Sequence, residues 1–286
     1  MRIGILGYGS IGSRHGRNLT ALGHKVIIHD PNMADSLPKG VVIERSDAVV
    51  ISSPTSEHLN DMLLCCRHAD KPCFVEKPIS DKPAKMFDLP PNNILMVGYN
   101  LRFHPCVIKA KEWLDEDRIG TPYWGNFICA QFNDKPEYLR DGVTLNWSHE
   151  IDLALHLLGK SEVTGAAITK NDDISDILLR HSDSGAQTTL HLDYVSRPQH
   201  RGFSVAGPKG LILGNIVARS LVLFGIDGIP KQVEQYEGDF DHDYMTEMMA
   251  FIIKVEGRPV PVYGCTAEEA IEVLKVCLKA KKVARV

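Results

Sequence analysis

The stretch that decides the fold is Ile3-Gly4-Ile5-Leu6-Gly7-Tyr8-Gly9-Ser10-Ile11-Gly12. A short apolar run ends in G-x-G-x-x-G, and residues 11–22 continue with the spacing of an amphipathic helix. Each glycine has a chemical purpose in such a turn. The first permits the tight bend, the second lets backbone approach a pyrophosphate, and the third lets helix and strand pack closely. The backbone N–H groups of the first helical turn, at Ser10 and Ile11, then face phosphate oxygens. A second apolar run, residues 26–28, leads to Asp30, about 20 residues on, where a carboxylate accepts ribose hydroxyls. The same charge repels a 2′-phosphate, and Pro31 and Asn32, not Arg or Lys, follow it. The pattern therefore implies NAD, with NADP as the alternative. Gly7, Gly9, Ser10, Ile11, Gly12 and Asp30 are the candidate cofactor contacts. Arg14 is either a further phosphate contact or an exposed helix charge.

Outward from this turn, residues 3–6, 26–28, 48–52, 73–75 and 94–97 read as strands, with helices at 11–22 and 57–68. Alternation of this kind predicts a doubly wound parallel sheet of the Rossmann type. Pro31, Pro38 and Gly40 predict mostly loop over 30–47, and Pro83, Pro90 and Pro91 leave room for one short helix after Ser80. A helix over 104–118 ends at Gly120. Beyond it, β-like runs at 123–132, 162–169, 174–180, 187–195, 202–206, 211–214 and 221–224 alternate with Gly, Asp, Asn and Pro turns. Helices are expected at 148–158, 244–255 and 266–282. This second part reads as α+β with an open, largely antiparallel sheet. The division is residues 1–121 for cofactor binding and 122–286 for substrate binding and oligomerisation.

The chain has 286 residues with a formal net charge of −4, so it has no global positive field for nucleic acid or an anionic membrane surface. No apolar run approaches the roughly 20 residues that span a bilayer. The segment Met1–Gly7 is broken by glycine too early for a signal-peptide core. Seven scattered cysteines, an odd number without a C-x-x-C pair, suit reduced thiols in the cytoplasm. The 12 histidines show no metal-ligand spacing, so no metal is expected. Asn18-Leu19-Thr20 and Asn146-Trp147-Ser148 match the glycosylation pattern, which has no consequence in a cytoplasmic chain.

Ligands of open α/β sheets bind at the carboxyl ends of the strands. Two polar turns lie there. Ser53-Pro54-Thr55 precedes a helix bearing His58, and Glu76-Lys77-Pro78 follows residues 73–75. Ser53, Pro54, Thr55, His58, Glu76 and Lys77 are therefore candidate cofactor contacts. Lys77 can also hold and polarise a substrate hydroxyl, although spacing alone leaves it as readily a surface residue. Residues 149, 152 and 156 share one helix face, so Asp152 can orient His149.

Together these motifs (G-x-G-x-x-G, Pro54-Thr55-x-x-His58, Glu76-Lys77-Pro78, Gly98-Tyr99-Asn100-Leu101-Arg102-Phe103-His104-Pro105, and Ser148-His149-Glu150-Ile151-Asp152) resemble the Gfo/Idh/MocA family of glucose–fructose oxidoreductase and inositol dehydrogenase. The resemblance implies an NAD(P)-dependent dehydrogenase or reductase acting on CH–OH groups. It would transfer hydride between the nicotinamide and a hydroxyl or keto group of a sugar, cyclitol or nucleotide sugar. It also implies a homodimer or homotetramer formed through the C-terminal sheet. Lys77, His149 and Asp152 match the family's catalytic positions. Lys77, Tyr99, Arg102, Asn146 and His149 are the candidate substrate contacts, and His104 follows the same strand. Arg102 with Phe103 alternatively staples the domain junction, and Tyr244 is a further candidate for the substrate site. The family's common aspartate, four residues before the histidine, is replaced here by Leu145, and Asn146 stands where some relatives carry the acid. Asn supplies no negative charge, and the stretch between Phe132 and Asn146 is short beside relatives, which alters one pocket wall. This departure keeps open a catalytically weak, cofactor-binding sensor or regulatory protein. A same-fold reductase of a non-sugar carbonyl or an imine is the other alternative.

Overall fold

The computed structural model describes residues 1–83, 95–133, 142–260 and 264–284, with Arg67 and His68 described by their backbone only. Two compact units emerge, one of Met1–Phe103 with Asp239–Ile271, the other of His104–Gly238 with Glu272–Val286. The expected division at 121/122 rests on a change of sequence texture. The division by contacts falls at Phe103/His104 and groups Asp239–Ile271 with the first unit.

In the first unit, β1 (Arg2–Leu6), β2 (Lys25–His29), β3 (Ala48–Ile51), β4 (Cys73–Glu76) and β5 (Leu95–Gly98) form a five-stranded sheet in the order β2-β1-β3-β4-β5. All four pairings are parallel, in registers such as Ile5 against Ile28 and Val50. β3, β4 and β5 are buried throughout and, Glu76 apart, apolar, as strands covered on both faces must be. Helices α1 (Ser10–Ala21), α2 (Lys39–Arg45), α3 (Thr55–Leu63) and α7 (Phe240–Val255) complete the unit. Its core joins Ile3, Ile5, Val50, Phe74, Met96 and Phe251, each side chain worth about 1.5–3 kcal/mol when fully buried.

The chain leaves β1 for β2 on one side and returns to β3 on the other, so the order reverses between β1 and β3. That switch point opens a crevice at their carboxyl ends, where Gly7 and Ser52 begin their turns. The loop expected over 30–47 contains α2, whose N-cap is Pro38. Pro38 thus precedes the helix without interrupting it, and Gly40 lies in its first turn, where helix geometry tolerates it. The helix expected over 57–68 begins earlier, at Thr55, and ends in a π-helical turn, Leu64–His68. The short helix expected after Ser80 lies largely outside the described residues.

The second unit is an eight-stranded sheet of β6 (Trp124–Ala130), β7 (Ser161–Ile168), β8 (Ile174–His181), β9 (Gln187–Asp193), β10 (His200–Gly207), β11 (Gly210–Asn215), β12 (Ser220–Gly225) and β13 (Pro230–Gln235). Its order is β13-β12-β11-β10-β6-β9-β8-β7, antiparallel throughout except for the parallel pair β6/β9. Burial alternates along β8, with Ile177 and Leu179 inside and Leu178 and Arg180 outside. One face is therefore covered, and α4 (Pro105–Asp115), α5 (Val143–Asn146) and α6 (Ser148–Leu158) pack on this sheet. The other face exposes Trp124, Leu178 and Leu213. Helix α8 (Ala267–Val283) closes the described chain.

Candidate active site

The glycine turn is built by close approach of backbone. Gly7 has φ +87°, and a Cβ there would lie 2.6 Å from the Ser52 carbonyl oxygen. A Cβ on Gly12 would lie 2.1 Å from the Gly7 carbonyl oxygen, so helix α1 touches the turn directly. Ser52, which sequence reasoning passed over, donates its hydroxyl to that same carbonyl at 2.7 Å. Gly9 differs: a Cβ there meets nothing within 4 Å. It caps α1, and no side chain caps that helix end. Bare backbone beside open space at a helix start is what a pyrophosphate requires.

Asp30 stands next to this turn. Its Oδ2 accepts the Tyr8 N–H at 2.6 Å and its Oδ1 accepts the Asn32 N–H at 2.8 Å. These two backbone donors hold the carboxyl below its ordinary pKa, so the group carries its charge at neutral pH. A fixed carboxylate at the end of β2 suits ribose hydroxyls, and the residues present therefore fit a dinucleotide.

The second turn, after β3, is held from behind. Ser53 donates its hydroxyl to Asp61 Oδ2 at 2.7 Å, and Lys39 donates to Asp61 Oδ1 at 2.6 Å. Asp61 is fully buried on α3 and escaped notice in the sequence, where it is one acid in a polar helix face. The His58 ring places Nδ1 2.8 Å from the Pro78 carbonyl oxygen and Nε2 2.9 Å from that of Ser53. It ties together the turns after β3 and β4, the second of which carries Lys77. Glu76, at the end of β4, accepts the Lys77 N–H through Oε2 at 3.2 Å. Its Oε1 contacts His15 Nε2 at 2.7 Å.

Tyr99 and Arg102 lie in and beside the 3-10 turn Asn100–Phe103 and are almost fully buried. Arg102 donates to Glu269 Oε2 at 3.0 Å, and Glu269 in turn accepts the Thr266 N–H at 2.9 Å to cap α8. Tyr244 lies in the first unit, edge-on to the His15 ring at 6.1 Å, with the Arg14 guanidinium 4.8 Å from its own ring centre. Arg14 also pairs with Asp241 at 2.8 Å.

In the second unit, His149 and Asp152 lie one turn apart on α6, His149 nearly buried and Asp152 fully so. The helix is anchored by Glu150, which accepts from Arg201 Nε at 2.6 Å and Nη2 at 3.1 Å. A bidentate buried pair of this kind fixes the helix and so its His149 face. Leu145 is buried in α5, so the position where the resemblance implies an aspartate is apolar packing here, and the adjacent Asn146 ends the same helix half-buried. His104 is the N-cap of α4, its Nδ1 accepting the Cys106 N–H at 3.2 Å.

Comparison with known proteins agrees with this architecture. Residues 107–213 match the family model described as the GFO/IDH/MocA C-terminal domain. A myo-inositol 2-dehydrogenase of Thermotoga maritima is 26% identical, with 92% of this chain and 91% of the relative aligned. A UDP-N-acetylglucosamine 3-dehydrogenase from Acidithiobacillus ferrooxidans superposes with a TM-score of 0.82 at 21% identity, covering 99% of this chain and 97% of the other. Levoglucosan dehydrogenase, solved with NADH and levoglucosan, superposes with a TM-score of 0.85 at 17% identity, covering 100% and 97%. The chain is thus similar to oxidoreductases of the Gfo/Idh/MocA family in fold and over most of its length, and matches the family's C-terminal domain model over residues 107–213.

Proposed function

We propose that the chain is an NAD-dependent dehydrogenase acting on a secondary alcohol of a sugar, cyclitol or nucleotide sugar. The observation that carries the cofactor half is the fixed Asp30 carboxylate beside the bare Gly9 backbone. The substrate class follows from the relatives, named for inositol, levoglucosan and UDP-N-acetylglucosamine.

Lys77 donates a hydrogen bond to the substrate oxygen and stabilises the negative charge that develops there. His149 accepts the hydroxyl proton in oxidation and returns it in reduction, and Asp152 orients the imidazole. Bound nicotinamide supplies the hydride acceptor for the carbinol carbon. Tyr99, Arg102 and Asn146 are assigned to the substrate side. Ser10, Ile11, Ser53, Pro54, Thr55, His58 and Glu76 are assigned to the cofactor side.

Buried Leu145 favours a second reading, a protein that binds the cofactor without efficient turnover, because the acid that the resemblance implies there is absent. Titration with NADH and NADPH, followed by a panel of inositols, aldoses and UDP-sugars with NAD⁺, separates the two. Tight NADH binding with reduction of NAD⁺ by a panel member is expected. Binding without turnover on any member favours the second reading, and no binding of either nucleotide overturns both.

The seven cysteines are free and buried, which suits a cytoplasmic location, and no described helix is long and apolar enough to cross a membrane. The open face of the eight-stranded sheet, with Trp124, Leu178 and Leu213, is assigned to pairing with a second copy, giving a homodimer or homotetramer.

A further inference from the structure

His15 has no part in the reading above, yet it is fully buried on the helix that begins at the glycine turn. Its Nε2 lies 2.7 Å from Glu76 Oε1. A carboxylate only accepts, so Nε2 carries the hydrogen. Nδ1 has no hydrogen-bond partner among the described residues, which leaves this contact as the ring's one polar anchor. The other oxygen of the same carboxylate accepts the backbone N–H of Lys77 at 3.2 Å. The carboxyl group thus joins α1 to the residue at the end of β4.

Packing allows this carboxylate little freedom. Gly98 on the neighbouring strand lies so close that a Cβ there would meet Glu76 Oε1 at 3.1 Å, Cδ at 3.2 Å and Phe74 Cζ at 3.0 Å. Phe74 also holds the His15 ring edge-on at 5.2 Å, and Tyr244 contacts it at 6.1 Å. A buried carboxylate needs its lone pairs satisfied, and His15 supplies the side-chain donor. Without that donor, Glu76 must reorient or draw in water, and the Lys77 N–H moves with it.

We propose that His15 is a positioning residue for Lys77, acting through the Glu76 carboxylate. The proposal rests on the role assigned to Lys77 above. It also couples the helix that carries the glycine turn to the lysine, through the contact from His15 to Glu76.

Two variants test it. His15→Leu removes the donor and keeps apolar bulk against Phe74. His15→Gln restores an N–H, because its amide nitrogen stands as many bonds from Cα as Nε2 does. Two readouts apply to folded protein of each variant. One is the rate at which trinitrobenzenesulfonate labels Lys77, measured by peptide mass spectrometry against exposed Lys25. The other is kcat, set beside the NADH dissociation constant. For His15→Leu, the relative labelling rate of Lys77 should change about threefold or more, and kcat should fall by about 10–100-fold, a larger factor than any loss of NADH affinity. His15→Gln should return both readouts most of the way to the parent. A folded His15→Leu protein with parental Lys77 labelling and parental kcat overturns the proposal. So does a kcat loss that the Gln variant shares in full. A parent that binds NADH but turns over no substrate overturns the functional reading instead, and the labelling comparison then decides the positioning role on its own.

Discussion

Asp30 Oδ2 accepts the Tyr8 N–H at 2.6 Å, so the acid at the end of β2 is locked to the second residue of the glycine turn. The carboxylate is therefore a fixed part of the crevice at the switch point. Asp30→Ser removes the charge that a 2′-phosphate would face, and the ratio of NADPH to NADH affinity should rise at least about tenfold, or 1.4 kcal/mol. Paired titrations of parent and variant measure this. A parent that already prefers NADPH tenfold overturns the cofactor assignment.

The glycines of the turn should separate binding from folding. Gly9→Ala places a methyl group in open space, so the melting temperature should stay close to the parent's. NADH affinity should fall about tenfold or more if that space takes the pyrophosphate, as proposed. Gly12→Ala instead drives a methyl group to 2.1 Å from the Gly7 carbonyl oxygen, so it should lower stability before any ligand is added. Calorimetry with and without NADH distinguishes the two outcomes.

Much of this was legible in the sequence because it depends on neighbours along the chain. The strand–turn–helix of residues 3–22, the acid at 30 and the turns after β3 and β4 each announce themselves within a few residues. What escaped depends on partners far apart in sequence or on weak local patterns. His15 and Asp61 look like ordinary helix residues until folding brings Glu76 and Lys39 to them. Strand β13, Pro-Lys-Gln-Val-Glu-Gln, is a polar edge strand with only Val233 apolar, so it carries no hydrophobic signal. Helix α2 was hidden by Pro38 and Gly40, residues that weaken a helix interior, whereas here Pro38 is the N-cap and Gly40 lies in the first turn.

His104 makes stability depend on acid. Burial, then the nearby Arg219 and Arg201 charges, lowers its pKa from 6.5 to about 3. Its Nδ1 accepts the Cys106 N–H at 3.2 Å, so protonating that nitrogen also breaks the cap of α4. Between these values the unfolded chain binds a proton that the folded chain refuses, so stability falls as pH drops below 6.5 and levels off near 3. From pH 7 to pH 5 the loss from this group should be about 2 kcal/mol. His104→Asn keeps a capping acceptor without the titration. Urea unfolding at the two pH values should show a correspondingly smaller difference for the variant. Equal pH dependence in parent and variant would remove His104 as the cause.

Proton transfer is the step on which the assignment of Lys77, His149 and Asp152 depends. His149→Ala should lower kcat by about 10²–10⁴-fold while NADH affinity is retained, since general acid–base help is typically of that size. Lys77→Ala should cost a comparable factor by removing both a charge and a hydrogen bond from the reacting oxygen. Asp152→Asn should cost less and shift the pH profile of activity to lower pH, because a negative charge near the imidazole is lost. Glu150→Gln provides the structural control. It weakens the pair with Arg201 that anchors α6, so it should lower the melting temperature along with activity. If Lys77 and His149 serve one proton transfer, the double variant should be little slower than the worse single variant, not slower by the product of both losses. Turnover of the four single variants and the double, measured with the best substrate of the panel, gives the comparison. An active His149→Ala enzyme with parental kcat and pH profile would move the proton transfer elsewhere, with Lys77 and Tyr99 as the next candidates.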